Sequence, residues 1–311
     1  MSKKAFLFPG QASQFVGMGK DIYETFPQAK NIFDSASEIM ELDLAKICFE
    51  GPEDDLKQTR ITQPAIFVHS VAVFNILKDI GLKPNAAAGH SLGEYSALVS
   101  AGAISFEDGL KLVKIRGELM QKAGTEKPGT MAAIIGLGND QINDICNSLK
   151  NIGTVCPANY NSPGQIAISG DVNAVHAAMH AAKEVGAKKV VELVVSGAFH
   201  SPLMQSAQEG LAAALKTTEI FDAQIPVYSN VKAEPTTNKN EIRDLLYKQL
   251  TNPVRWVEII QNMISYNITE FYELGPGQVL SGLNKRIDRN VDCKPIGDVA
   301  SIKSLKENGQ V

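Results

Sequence analysis

The residues with the clearest chemical meaning in this 311-residue chain are Gly89-His90-Ser91-Leu92-Gly93, a G-x-S-x-G string. The small apolar run Ala86-Ala87-Ala88 precedes it and Glu94-Tyr95-Ser96-Ala97-Leu98-Val99 follows, which is the grammar of a buried strand, a tight turn and a helix. Such a turn exposes the serine hydroxyl, and a Cβ in place of either glycine would crowd the neighbouring backbone. The helix that follows aims its first free N–H groups at whatever the serine attacks.

A serine nucleophile needs a base, and five histidines compete for the part. His69 lies within the apolar segment Ala65 to Ile80 and reads as a core residue. His176 and His180 have the spacing of a metal pair, but residue 177 is alanine and no third ligand is in sight, so no metal is expected. His90 adjoins the serine at a sharp turn, where neighbouring side chains point apart, and reads as a buttress of that turn. His200, in the loop Gly197-Ala198-Phe199-His200-Ser201-Pro202, is the base by elimination, against the plainer alternative of a solvated loop histidine. Between Ser91 and His200 no carboxylate ends a large-domain strand, and Asp171 is explained as a helix cap. A dyad, with a backbone carbonyl fixing the imidazole tautomer, is the simpler model.

Arg116 is the second unusual residue. After the cap sequence Ser105-Phe106-Glu107-Asp108, the residues Leu112, Val113, Leu119 and Met120 form one apolar stripe, with Lys111, Lys114, Glu118 and Lys122 opposite. Arg116 falls on the stripe. A guanidinium there keeps its charge and needs an anion, either a structural partner or a substrate carboxylate.

The elements that would position these residues follow from patterning. Ala5-Phe6-Leu7-Phe8 reads as a first strand, Pro27 to Met40 as a helix, and Thr62-Gln63-Pro64 as the start of a buried helix. The glycine-bearing turn after the first strand lacks the residues of a Walker phosphate loop, with Gln14 and Asp21 where glycine and Ser/Thr belong. From Gly129 to Val195 the order is β-α-β-β-α-β, the ferredoxin-like arrangement. Residues 126–197 are therefore expected to form a small domain inserted in a large α/β domain made of 1–125 and 198–311, closing with a helix Val279 to Asp288 and a polar tail.

Composition bounds the partners. An apolar fraction of 44%, a charged fraction of 21% and a net charge of −4 fit a soluble globular protein and argue against nucleic-acid binding. No segment reads as a signal or as membrane-spanning, and Cys48, Cys146, Cys156 and Cys293 are scattered as reduced thiols, so a cytoplasmic setting is expected.

Phe8-Pro9-Gly10-Gln11, the block Gly89 to Tyr95, Arg116, Asn161-Ser162-Pro163-Gly164, Gly197 to Pro202 and Asn252-Pro253-Val254 together resemble, in order, the malonyl-CoA:acyl carrier protein transacylases. The resemblance covers nearly the whole chain. It implies an α/β-hydrolase-like large domain with a ferredoxin-like insertion. It also implies a ping-pong transfer of malonyl from malonyl-CoA to the phosphopantetheine thiol of acyl carrier protein, without a cofactor. By that likeness Ser91 would be the nucleophile, His200 the base and later acid, and the backbone N–H groups of Gln11 and Leu92 the oxyanion hole, each such donor contributing about 3 kcal/mol in the transition state. Arg116 would clamp the malonyl carboxylate, the main-chain carbonyl of Gln249 would orient His200, and Gln63, Met120 and Phe199 would line the acyl pocket. The family's first loop usually reads Gln-Gly-Ser-Gln, whereas this chain has Ala12 in place of the glycine.

Carrier proteins of this kind are acidic, so a local basic patch is expected, with Lys188, Lys189, Lys285 and Arg286 as candidates, and a monomer is the expected state. Two rivals use the same residues differently: a serine esterase or thioesterase would release malonate to water, and a non-catalytic binding module would form no covalent adduct.

Overall fold

The chain alternates strands and helices around a parallel sheet, and a second, antiparallel sheet is built from one continuous stretch in its middle. The computed structural model describes residues 3–307. Strand β1 (Lys3–Phe8) leads through α1 (Lys20–Thr25), α2 (Pro27–Met40), α3 (Leu44–Glu50) and α4 (Glu53–Lys57) to the long α5 (Thr59–Asp79). Then come β2 (Ala86–Gly89), α6 (Gly93–Ser100) and α7 (Phe106–Glu126). The second sheet's stretch holds β3 (Gly129–Ile135), α8 (Asn139–Ser148), β4 (Val155–Ser162), β5 (Gln165–Asp171), α9 (Val172–Glu184) and β6 (Lys189–Glu192). The remainder is α10 (Gln205–Thr217), β7 (Val227–Tyr228), β8 (Pro235–Thr236), α11 (Lys239–Gln249), α12 (Trp256–Ser265), β9 (Ile268–Leu274), α13 (Val279–Ile287), β10 (Asp292–Ile296) and α14 (Val299–Glu307).

The large sheet runs β10-β9-β1-β2-β7-β8, parallel except for the β7–β8 pair. Its strand β1 is apolar and buried from Ala5 to Phe8 because both faces are covered there. Phe6 and Phe8 point into a core shared with α2, α5 and α7, while Ala5 and Leu7 point into another core with α12 and α13. The same alternation separates Ala87 from Ala86 and Ala88, and Tyr272 from Phe271.

Helix α5 is apolar all round, and 89% of its most apolar stretch is buried inside the protein. It begins at Thr59, earlier than the Thr62 start read from the sequence, so Pro64 lies within the helix and not in its first turn. Gly117 lets α7 approach closely, since a Cβ there would sit 3.0 Å from the Arg60 Cα. Ser105 caps α7 as expected, accepting from the Asp108 N–H at 3.0 Å. Asp171 precedes α9 but does not cap it; its carboxylate accepts from the Thr154 N–H at 2.6 Å instead.

The small sheet runs β4-β5-β3-β6, antiparallel throughout. Ala132 and Ile134 face α8 and α9, whereas Met131 joins the large core. Two backbone hydrogen bonds tie this sheet to the segment that precedes α12. Tyr160 N–H donates to the Val254 carbonyl at 2.9 Å, and Val254 N–H donates to the Ala158 carbonyl at 2.8 Å. That pairing extends the backbone at Val254, so α12 starts at Trp256 and not at Val254 as read from sequence.

The polar tail expected after α13 contains β10 and α14, with only residues 308–311 of it outside the described residues. Strand β10 is an edge strand, which tolerates Pro295, and α14 buries just Ile302 and Leu305. Both carry a thin apolar signal.

Of the six non-glycine residues with left-handed backbone among those described, three concern the site or its loops: Ala12 (φ 81°), Ser91 (φ 51°) and His200 (φ 58°). At Ser91 and His200 the conformation aims a side chain; at Ala12 the methyl only adds strain, of about 1–2 kcal/mol for an L residue in this region. Ala12→Gly is therefore expected to raise stability by about 0.5–1 kcal/mol, the strain relieved less the entropy of the freer unfolded chain. Urea denaturation checks this, and an unchanged or lowered stability would contradict it.

Candidate active site

The turn that carries Ser91 joins β2 to α6 at the carboxyl end of the large sheet, where ligands of open α/β sheets sit. Its glycines are forced by contact. A Cβ on Gly89 would fall 1.8 Å from the Gly93 carbonyl carbon, and one on Gly93 would fall 2.0 Å from the Phe8 oxygen. Asn230 locks the turn from the end of β7: its Oδ1 accepts from the Ser91 N–H at 2.6 Å and its Nδ2 donates to the Gly89 carbonyl at 2.6 Å. His90 points away from Ser91; its Nε2 meets Asn161 Oδ1 at 2.8 Å, and its ring packs against Trp256.

Ser91 Oγ lies 2.8 Å from His200 Nε2. His200 is 3% exposed, and its Nδ1 faces two acceptors, the carbonyls of Gln249 at 3.0 Å and Asn252 at 3.1 Å. Nδ1 must then carry the hydrogen, which leaves Nε2 as the acceptor for the serine O–H. Burial, with the nearby Arg116 charge second, pulls the imidazole pKa down to about 3. The ring is thus neutral at ordinary pH. Among the described residues no carboxylate orients it.

Arg116 is 1% exposed, and only Trp256 is a larger side chain among those fully buried. No ion pair accounts for it among the described residues. Its Nη1 donates to Gln63 Oε1 at 2.6 Å, and its Nη2 to Gln249 Oε1 at 2.9 Å and to Ser91 Oγ at 3.1 Å. The guanidinium carbon lies 5.6 Å from the Tyr95 ring centroid, and Nε has no partner among the described residues. A buried cation held by neutral oxygens, with three hydrogen bonds among the described residues for its five N–H donors, is a place for an anion.

The remaining residues singled out from sequence divide into those near this centre and those on its rim. Gln63 also donates to Met120 Sδ at 3.3 Å, so these two lie together beside Arg116. Phe199 is buried next to His200. Leu92 is buried at the start of α6, and Gln11 lies half-buried in the loop after β1, its side chain 3.4 Å from Thr59 Oγ1. The backbone N–H groups of Gln11 and Leu92 meet no acceptor among the described residues, while that of Ser91 is already occupied by Asn230. Lys188, Lys189, Lys285 and Arg286 are exposed. Lys189 and Gln165 flank Ile135 across the small sheet, and Arg286 donates to Gln165 Oε1 at 2.5 Å, so lysine and arginine meet at one sheet end. Gln165 is paired with Ser162, next to the Asn161 that holds His90. His176 and His180 are surface residues beside Glu192 and Glu184, and His69 is buried.

Three further participants had no role assigned from the sequence, although Asn252 and Glu94 lie within strings that carry the resemblance. Asn230 follows the two-residue β7, and Asn252 lies just after α11. Glu94 lies in the first turn of α6, 3% exposed; its Oε2 accepts from Gln249 Nε2 at 2.8 Å and from the Asn230 N–H at 3.1 Å. Burial raises its pKa to about 7.

A serine with a neutral base, two free N–H groups nearby and a buried cation is the equipment of acyl transfer. The chain belongs to the acyl transferase domain family, whose model matches residues 5–307. It is 46% identical to the malonyl CoA-acyl carrier protein transacylase of Bacillus subtilis (strain 168), over 99% of this chain and 98% of that one. Among solved structures it is similar to an acyl carrier protein S-malonyltransferase from Vibrio cholerae, at 44% identity and a TM-score of 0.94, covering 98% of this chain and all of that one. A malonyl-transacylase solved in complex with its type II PKS acyl-carrier protein matches at 41% identity and a TM-score of 0.96, over 99% of this chain and 100% of that one.

The His200 environment makes a direct prediction. With the imidazole neutral down to about pH 3, phosphonylation of Ser91 by an uncharged phosphonate reagent keeps a flat rate from about pH 8 to about pH 5. A fall centred near the ordinary histidine value, about 6.5, would contradict the buried neutral base.

Proposed function

We propose that this chain transfers a malonyl group from malonyl-CoA to the phosphopantetheine thiol of acyl carrier protein through a malonyl ester on Ser91. The observation that carries the choice of acyl group is Arg116 Nη2 lying 3.1 Å from Ser91 Oγ. An acyl group esterified to that oxygen places a second carboxylate, one methylene beyond the ester carbonyl, against the guanidinium and its unpartnered Nε.

The steps balance with the groups present. Ser91 Oγ attacks the thioester carbonyl while its proton passes to His200 Nε2. The oxyanion of the tetrahedral intermediate is held by the Gln11 and Leu92 N–H groups, and the imidazolium is stabilised by the Gln249 and Asn252 carbonyls. Collapse breaks the carbon–sulfur bond, and the coenzyme A sulfur takes the proton back from His200. The carrier's thiol then gives its proton to His200 and attacks the ester, and Ser91 leaves with that proton. Gln63, Met120 and Phe199 wall the acyl side. No group outside the chain and its two substrates enters any step.

The same reading extends to architecture and docking. The six-stranded sheet supports an α/β-hydrolase-like large domain from 1–125 and 198–311, and the β4-β5-β3-β6 order supports a ferredoxin-like insertion over 126–197. The basic cluster of Lys188, Lys189, Lys285 and Arg286, one strand pair away from Asn161, would receive the acidic carrier beside the Ser91 turn.

Intact-mass analysis after incubation with malonyl-CoA alone tests the transfer. A malonyl adduct mapped to Ser91, persistent in water and discharged by carrier protein, is expected; no adduct, or immediate hydrolysis, would overturn it in favour of a binding module or a thioesterase. Arg116→Ala is expected to cut malonyl loading at least about a hundred-fold while acetyl loading falls far less, about 3 kcal/mol being typical of a lost charge-assisted contact. Equal losses for both acyl groups would remove the carboxylate clamp.

A further inference from the structure

One acidic group in the centre of the site has no part in the transfer: the Glu94 carboxyl group, an acceptor in its ionised form. It meets Arg116 only through the Gln249 carboxamide, which donates from Nε2 to Glu94 at 2.8 Å and to the Ser91 carbonyl at 3.0 Å, and accepts at Oε1 from Arg116 at 2.9 Å. The chemistry of the three groups makes this arrangement directional. A carboxylate only accepts, so the NH2 end of the amide turns toward Glu94, and the oxygen is left facing the guanidinium, which only donates. Were the amide reversed, an N–H would face an N–H at Arg116 and an oxygen would face an oxygen at Glu94.

We infer that Glu94 is a positioning residue for acyl selection, holding the Gln249 carboxamide in the one orientation that keeps the Arg116 guanidinium beside Ser91. The inference rests on the malonyl-transfer reading above, in which Arg116 receives the acyl carboxylate. Gln249 thereby serves two ends at once. Its carbonyl orients His200 through the main chain, and its side chain, set by Glu94, orients Arg116. Asn230 completes the link, because the residue that locks the Ser91 turn also gives its own N–H to Glu94. Nucleophile, base and clamp are therefore aligned by one connected set of hydrogen bonds that ends on a buried carboxylate.

Glu94→Gln keeps the shape but presents an amide that both accepts and donates, so of the two acceptors that fix the Gln249 NH2 end only the Ser91 carbonyl still imposes its orientation. Steady-state loading of malonyl-CoA and acetyl-CoA is compared for the wild-type chain and the variant, with thermal unfolding recorded in parallel. The malonyl-to-acetyl ratio of kcat/KM is expected to fall about ten-fold, chiefly as a raised KM for malonyl-CoA, and Glu94→Gln in an Arg116→Ala background should change the ratio no further. A ratio unchanged in Glu94→Gln, or equal losses for both acyl groups, overturns the inference. Should that variant not fold, Gln249→Met removes the carboxamide while keeping the carbonyl that holds His200, and the same ratio is read. Failure of the transfer reading looks different: the wild-type chain itself would show no Arg116-dependent preference for malonyl.

Discussion

A guanidinium that cannot shed its charge lies inside the protein with no anion in contact with it among the described residues. Burial works against the Arg116 charge, and the structure answers with neutral oxygens from Gln63, Gln249 and Ser91 and with the face of Tyr95. Much of the site is arranged around that constraint. Gly117, one residue on, lets α7 lie close to α5, so that Gln63 of α5 reaches Arg116. Gln249, the last residue of α11, spends its side chain on Arg116 and its carbonyl on His200. A free cation of this kind costs stability and is tolerable where an anionic ligand completes it.

The base is built with equal economy. Two carbonyls at the end of α11 do what an acid does in a triad as far as tautomer and orientation are concerned, and they leave the imidazole neutral. The loop that supplies them continues into Val254, which pairs with β4 of the small sheet. On the opposite side of Ser91, His90 is tied to Asn161 at the end of the same strand. The small sheet thus braces both the nucleophile turn and the loop behind the base, while its outer end carries the basic side chains. Left-handed backbone at Ser91 and His200 is held in place by this bracing.

What the chain reveals before folding depends on the range of the interaction. The Ser91 turn is legible because its strand, glycines and helix are consecutive, and Arg116 because a charge on an apolar stripe breaks a local period. The βαββαβ stretch is legible for the same reason, down to its hairpin at Pro163-Gly164. The roles of Asn230, Asn252 and Glu94 are not, since their partners lie far off in sequence, even where, as for Asn252 and Glu94, the surrounding string is itself recognisable. Glu94 in particular reads as an ordinary first-turn acid of α6 until Asn230 and Gln249 close over it. The short apolar content of β10 and α14 hides them in an apparently polar end, and the start of α12 moves because Val254 is claimed by β4.

The central claim is that the carboxylate of an acyl group on Ser91 replaces neutral oxygens as the partner of Arg116. A crystal structure of the enzyme trapped after reaction with malonyl-CoA measures this directly. The malonyl carboxylate is expected within about 3 Å of two guanidinium nitrogens of Arg116. A malonyl carboxylate turned to solvent, with Arg116 still held only by Gln63 and Gln249, would contradict it.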